Sequence, residues 1–342
     1  MLARLMHAHE RRIARRDKNR LVRPFEWGAE YACAHANGDD PRLLVSAHSA
    51  RSLAQSNEFY ALSPVADYQL TDNLLTWTSA VETPAAENNT VRASFFPPNA
   101  QPSASEWPRR AVVMLPHWNA KRAAYAQLGR IFARLRIAGL SVSLPYHDER
   151  RPAALERADF LVSSNVGRTL QSMRQAVVDT RAAVQWLRAQ GYERIGIMGT
   201  SIGSCVAFLT FVHEPLLRAG VFNHASGYVA DVVWHGLSTQ HVRAGFADRL
   251  TLAELRQQWL PISPLAYTAK LAQKPARPMR FICARYDLTF PIDLSHELID
   301  AVRATGHTLD VQWLPCGHYT LGHAPWKYID GWKIVTFLHN NL

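Results

Sequence analysis

The sequence predicts an α/β fold: a mainly parallel sheet with helices on both faces, a helical cap insertion and a helical N-terminal extension. Three observations carry this. From Ala111 onward, short apolar runs alternate with segments of helical apolar spacing. The pentapeptide Gly199-Thr200-Ser201-Ile202-Gly203 stands between an apolar run and a helical one. The stretch 226–274 is too long for a simple crossover between strands and contains helical material of its own.

Residues 1–74 read as a helical extension packed on, or lidding, the main domain; Pro41 to Leu62 has helical spacing and few strand signals. At Leu74 the pattern changes. Leu74–Val81 and Val91–Phe96 flank the turn-rich Thr83–Asn89, which predicts a hairpin. Ala111–Leu115 is apolar throughout, as a parallel strand buried on both faces requires. Ala124, Leu128, Ile131 and Leu135 follow at helical spacing, Gly139 marks that helix's end, and Leu140–Leu144 is the next strand. A polar loop from Pro145 to Gly167 leads to a helix lined by Leu170, Met173, Val177, Val184 and Leu187, and Gly191 stops it. Arg194–Met198 is a strand and Ser204–Leu209 a helix. Ala219–Phe222, Met279–Cys283 and Leu309–Leu314 are the later strands. Residues 75–342 thus read as one domain, with 226–274 as a cap over its functional site.

The chain has 342 residues, 48% of them hydrophobic, which suits a large soluble core. Net charge is +10 and the pI about 9.7. Much of the charge sits early: Arg4, Arg11, Arg12, Arg15, Arg16, Lys18, Arg20 and Arg23 face only Glu10 and Asp17. A solvated helix face is the plain reading, and weak attraction to an anionic membrane surface is the second. No nucleic-acid-binding motif accompanies the charge, so no nucleic-acid partner is expected. Apolar runs fall far short of a membrane span, and no secretory signal follows the basic start. Cys33, Cys205, Cys283 and Cys316 lack C-x-x-C spacing, so free thiols in a reducing, cytoplasmic compartment are expected. No H-E-x-x-H occurs and no G-x-G-x-x-G follows a strand, so neither metal nor nucleotide cofactor is implied.

Ser201 is the centre of the chemistry. Its pentapeptide alone would occur by chance in roughly one chain in ten of this length. Its place between strand and helix is what counts, because a sharp turn there pushes the hydroxyl out of the fold. A serine hydroxyl needs a base to take its proton and an acid to hold that base. Asp287 follows the strand ending at Cys283-Ala284, and His318 follows the last strand. Asp287 also reads as a cap for the helix near Ile292, and His323 is a rival set aside because it falls in or near the last helix. Ile202, just after Ser201, offers a backbone N–H at a helix start for a developing oxyanion.

The ordered segments Gly199–Gly203, Asp287 to Pro291 and Gly317-His318 resemble the α/β-hydrolase superfamily over residues 75–342. The resemblance implies the α/β-hydrolase fold with Ser201, Asp287 and His318 as nucleophile, acid and base. It also implies a second oxyanion donor from the loop Pro116–Ala120, the backbone N–H of Trp118 or Asn119. Many relatives carry His-Gly there, whereas this chain has His117-Trp118. His117, Thr200 and His224 are expected to line the substrate pocket, although His117 and His224 also read as structural histidines. Leu75–Pro97, Leu115–Asn119 and Pro315–Tyr319 resemble the group around α/β-hydrolase domain-containing protein 18. That implies a serine hydrolase of acyl esters, lipids among them, working without a cofactor through an acyl-enzyme. An acyltransferase, a peptidase of the prolyl-oligopeptidase kind and a non-catalytic binding protein on the same fold are the other readings.

Overall fold

Alternate residues of a strand point to opposite faces of its sheet, so a strand covered on both faces must be apolar at every position. The run Ala111–Leu115 obeys this. In the computed structural model, which describes residues 2–32, 40–99, 108–246 and 248–342, Ala111, Val113 and Leu115 join one core. Val112 and Met114 join another across the sheet. Phe281 and Cys283 divide from Ile282 and Ala284 in the same way. The first core is closed by the helices Val166–Ala189, Ile202–His213 and Ile292–Arg303. The second is closed by Ala126–Arg134 and Trp326–Asn341.

The strands are β1 (Gln69–Thr71), β2 (Leu74–Thr78), β3 (Thr90–Phe96), β4 (Arg110–Leu115), β5 (Ile137–Val142), β6 (Arg194–Thr200), β7 (Leu217–Asn223), β8 (Met279–Ala284) and β9 (Leu309–Leu314). They form one sheet in the order β1-β2-β3-β5-β4-β6-β7-β8-β9. β4 to β9 run parallel to one another, and β1 to β3 add an antiparallel edge against β5. The expected hairpin is β2 with β3, Leu74 opposite Ser94.

Two boundaries differ from expectation. The sheet begins at Gln69, inside the segment read as extension. β5 starts at Ile137 and runs through Gly139, which the sequence marked as a helix stop. The preceding helix ends at Arg134, and Arg136, at φ 60°, makes the left-handed turn into the strand without a glycine. Gly139 has a packing role instead, for an added Cβ would stand 3.2 Å from the Cα of Gly129.

The strand order places the site. The chain leaves β4 for β5 on one side and returns to β6 on the other. Loops leaving β4 and β6 therefore diverge and open a crevice at the carboxyl ends of the strands. The segment 226–274 holds the helices Val229–His235, Gln240–Phe246, Leu252–Gln258 and Thr268–Ala272. Cys205, Cys283 and Cys316 are free thiols, all buried, while Cys33 lies outside the described residues. Among the described residues no helix is long and apolar enough to cross a membrane.

Candidate active site

β6 ends at Thr200 and a helix starts at Ile202, so Ser201 alone must turn the chain. It does so at φ 57° and ψ −123°, a conformation that costs a non-glycine residue about 1–3 kcal/mol. The surroundings hold it there. Its N–H donates to the Asn223 carbonyl at 2.8 Å. Ser204 Oγ donates to the Ser201 carbonyl at 2.7 Å and the His224 carbonyl at 2.8 Å. The two glycines let backbones meet: a Cβ on Gly199 would lie 2.0 Å from the Gly203 oxygen, and one on Gly203 2.5 Å from the Leu115 oxygen. Ile202 opens the helix, so its N–H has no intrahelical partner.

Asp287 and His318 meet although they are 31 residues apart in sequence: His318 Nδ1 is 2.9 Å from Asp287 Oδ2. The other oxygen, Oδ1, accepts the Thr289 and Phe290 N–H groups, each at 2.7 Å. The helix beginning at Ile292 is preceded by Pro291 and receives no side-chain cap, so Asp287 closes its own turn rather than capping that helix. The Phe290 ring stacks on His318 at 5.4 Å with 2° between planes.

His224 stands on the same carboxylate. Its Nδ1 is 2.7 Å from Asp287 Oδ2, but without the alignment of a hydrogen bond, and neither ring nitrogen has a partner. Expected to line the pocket, it is among the residues lining the cavity, at 2% exposure. The two rings are 4.6 Å apart and compete for one charge. Burial, then the His318 charge, push the His224 pKa down. Burial also pulls on His318, but the Asp287 charge and hydrogen bond, with Glu10 behind them, outweigh it, so its pKa stands above 6.5. Asp287 stays ionised: burial opposes this, and His318 and His224 overcome it. His318 is therefore the ring that takes a proton.

The loop after β4 corrects one expectation. The Asn119 N–H, offered as an oxyanion donor, donates to His147 Nε2 at 2.8 Å, and Asn119 Oδ1 accepts the Ala158 N–H at 2.8 Å. Asn119, at φ 61°, is a structural corner, and its N–H is not free for an oxyanion. Burial drives His147 down to about 4, so at neutral pH its Nε2 is an acceptor while Nδ1–H bonds the Pro145 carbonyl. The Trp118 N–H makes no backbone hydrogen bond among the described residues. Its indole N–H donates to the Ala158 carbonyl at 2.9 Å and its ring stacks on His241 of the cap segment. Sequence reasoning missed His147, which stands in no motif, and Phe290, which fills an unspecified position between Asp287 and Pro291.

Ser201, His318, Thr200, His117, Trp118 and Ile202 all face one cavity of about 970 Å³. Desolvation there, then the charges of His318 and His224, hold the His117 pKa down to about 4. The cap segment contributes Val229, Val232 and Val233, and the N-terminal segment Asp17 and Arg20. His224, Asp287 and His318 bring donor atoms within 4.8 Å of one another, as a metal site would. Yet the 2.7 and 2.9 Å separations are too short for tetrahedral zinc ligands, which at about 2.0–2.1 Å from the metal stand about 3.3 Å apart. The set fits a proton shared with a carboxylate better than a metal.

No protein-family model matches the sequence, and no curated protein matches it. Solved structures do match in fold. Acetyl xylan esterase 1 from Thermoanaerobacterium sp. JW/SL YS485 aligns at TM-score 0.61 and 12% identity, over 94% of this chain and 96% of that one. An acetyl xylan esterase from Paenibacillus sp. R4 aligns at 0.59 and 11%, over 92% and 98%. Pyrococcus horikoshii acylaminoacyl peptidase aligns at 0.59 and 14%, over 85% of this chain but only 44% of that one, so the chain spans less than half the peptidase's length. Identities this low speak for the fold alone, and that fold is the α/β-hydrolase fold.

Proposed function

We propose that this α/β-hydrolase-fold chain is a serine hydrolase that cleaves a carboxylic ester through an acyl-enzyme. The observation that carries the reading is the contact of His318 with Asp287 at the edge of the cavity that Ser201 faces. In this reading Ser201 Oγ attacks the carbonyl carbon as His318 takes its proton. Asp287 holds the imidazole through Nδ1 and stabilises it once charged. The negative carbonyl oxygen is met by the Ile202 N–H, with the Trp118 N–H as the remaining donor of the loop after β4. His318 then returns its proton to the leaving alcohol. Water, deprotonated by the same histidine, attacks the acyl-enzyme and releases the acid, restoring Ser201. His318 passes the water's proton to the departing Ser201 Oγ, so the protons balance with water as the one added reactant.

Val229, Val232 and Val233 of the cap segment give the cavity an apolar wall that suits an acyl group. Ser201→Ala should lower kcat for p-nitrophenyl esters by about 10⁴-fold or more and abolish labelling by a fluorophosphonate probe. Full activity in that variant would sink the proposal. An ester series of rising chain length reads the acyl preference, and the matching anilides test amide cleavage.

A further inference from the structure

Glu10 belongs to an arginine-rich helix, Leu2–Ala14, and its neighbours Arg11 and Arg12 are exposed. Glu10 itself is 0% exposed. An ionised carboxylate is costly to bury unless hydrogen bonds replace its water. Here two backbone groups do so: the Tyr319 N–H at 2.8 Å and the Thr320 N–H at 3.0 Å. These residues follow His318 directly. On its other side Gly317 leaves room for the carboxylate, since an added Cβ would lie 2.3 Å from Glu10 Cδ. A second tie comes from the same segment, for Arg20 donates to the Tyr319 hydroxyl at 2.6 Å and to the Leu237 carbonyl at 3.2 Å.

We infer that Glu10 is a positioning residue for His318, a carboxylate from the N-terminal helix that fixes the loop carrying the base. The inference rests on the reading of His318 as base in the proposed reaction. Asp287 and Phe290 hold the ring, and Glu10 holds the main chain on which the ring is mounted. A base displaced by about 1 Å loses roughly 100-fold in rate, so both supports matter. The charged and titratable groups facing His318 are Asp287 after β8, His224 after β7, His117 after β4, Glu10 from the first helix and the Arg20–Tyr319 pair. Glu10 adds a negative charge to that set and favours the imidazolium.

Glu10→Gln keeps the shape but sets an NH2, which can only donate, against one of the two N–H groups. With p-nitrophenyl acetate, kcat should fall about 10- to 100-fold while KM stays within about twofold. The acid limb of the pH–rate profile should move to lower pH, because the lost charge no longer favours protonated His318. A structural prop alone would not move that limb. Glu10→Asp should recover part of the rate and the limb, and Arg12→Gln, exposed on the same helix, should change neither. Wild-type kcat with an unmoved limb in folded Glu10→Gln overturns the inference. If Glu10→Gln shows no cooperative melt, Tyr319→Phe decides: it removes the hydroxyl that Arg20 holds, and kcat should fall about threefold at constant KM. Wild-type kcat there overturns the clamp. Activity retained in Ser201→Ala overturns the underlying reading instead, so the two failures are told apart.

Discussion

Two imidazoles meet one carboxylate oxygen, and their surroundings assign them different charges. His224 is buried deeper and stays neutral, whereas His318 keeps the aligned hydrogen bond and gains the proton. Because a base must be neutral to act, and the His318 pKa is raised above 6.5, activity should already fall as pH drops toward 6.5. The acid limb of kcat/KM should therefore lie above the ordinary histidine value, and a stopped-assay pH series checks it. Asp287 and His318 were readable from sequence because a strand end fixes where each must stand. His224, at the end of β7, was legible as a pocket residue but not as a second imidazole on Asp287, and His147 was not legible at all. Among 15 histidines no spacing reveals those contacts, whose partners come from distant loops.

The corner after β4 is held by an element with no chemistry of its own. Arg150, in the turn Asp148–Arg150, is fully buried against Asp179 of the long helix Val166–Ala189, 2.8 Å away. It also donates to the Asn88 carbonyl at 2.9 Å and the Ser143 carbonyl at 2.8 Å. His147 lies three residues before Arg150 and carries Asn119, so this ion pair anchors the corner after β4. Arg150→Met leaves Asp179 charged and buried, and should cost about 3–5 kcal/mol in urea melts. Adding Asp179→Leu should recover much of the loss. The β4, β6 and β8 segments were legible because each is apolar on both faces. The start of β5 was not, since Gly139 reads as a stop and its place between Phe96 and Val112 shows only once the strands are paired.

On the scale of the whole molecule, the sheet, the cap segment and the N-terminal segment close on one cavity, and the last helix contributes a buried acid. Asp330 is hydrogen bonded to Asn223 Nδ2 at 2.8 Å, and burial raises its pKa from 3.8 to about 7. The unfolded chain ionises first, so this group's contribution to stability is complete below pH 3.8 and is lost as pH rises to about 7. The loss is about 4 kcal/mol. Asp330→Asn should remove it, so the variant's stability relative to wild type should rise between pH 5 and pH 8 in urea melts. Neither the charge of +10 nor the helical spacing before Leu74 told that this segment reaches the His318 loop, for that contact depends on one buried glutamate among arginines. Glu10 and Thr320 are 310 residues apart. At a synthesis rate of roughly 5–20 residues per second, the first helix waits roughly 15–60 s for its partner to leave the ribosome. In the proposed reaction Ser201 is made well before the loop that carries its base, so a growing chain holds the nucleophile without His318, and that base gains its Glu10 support only once the two ends have met.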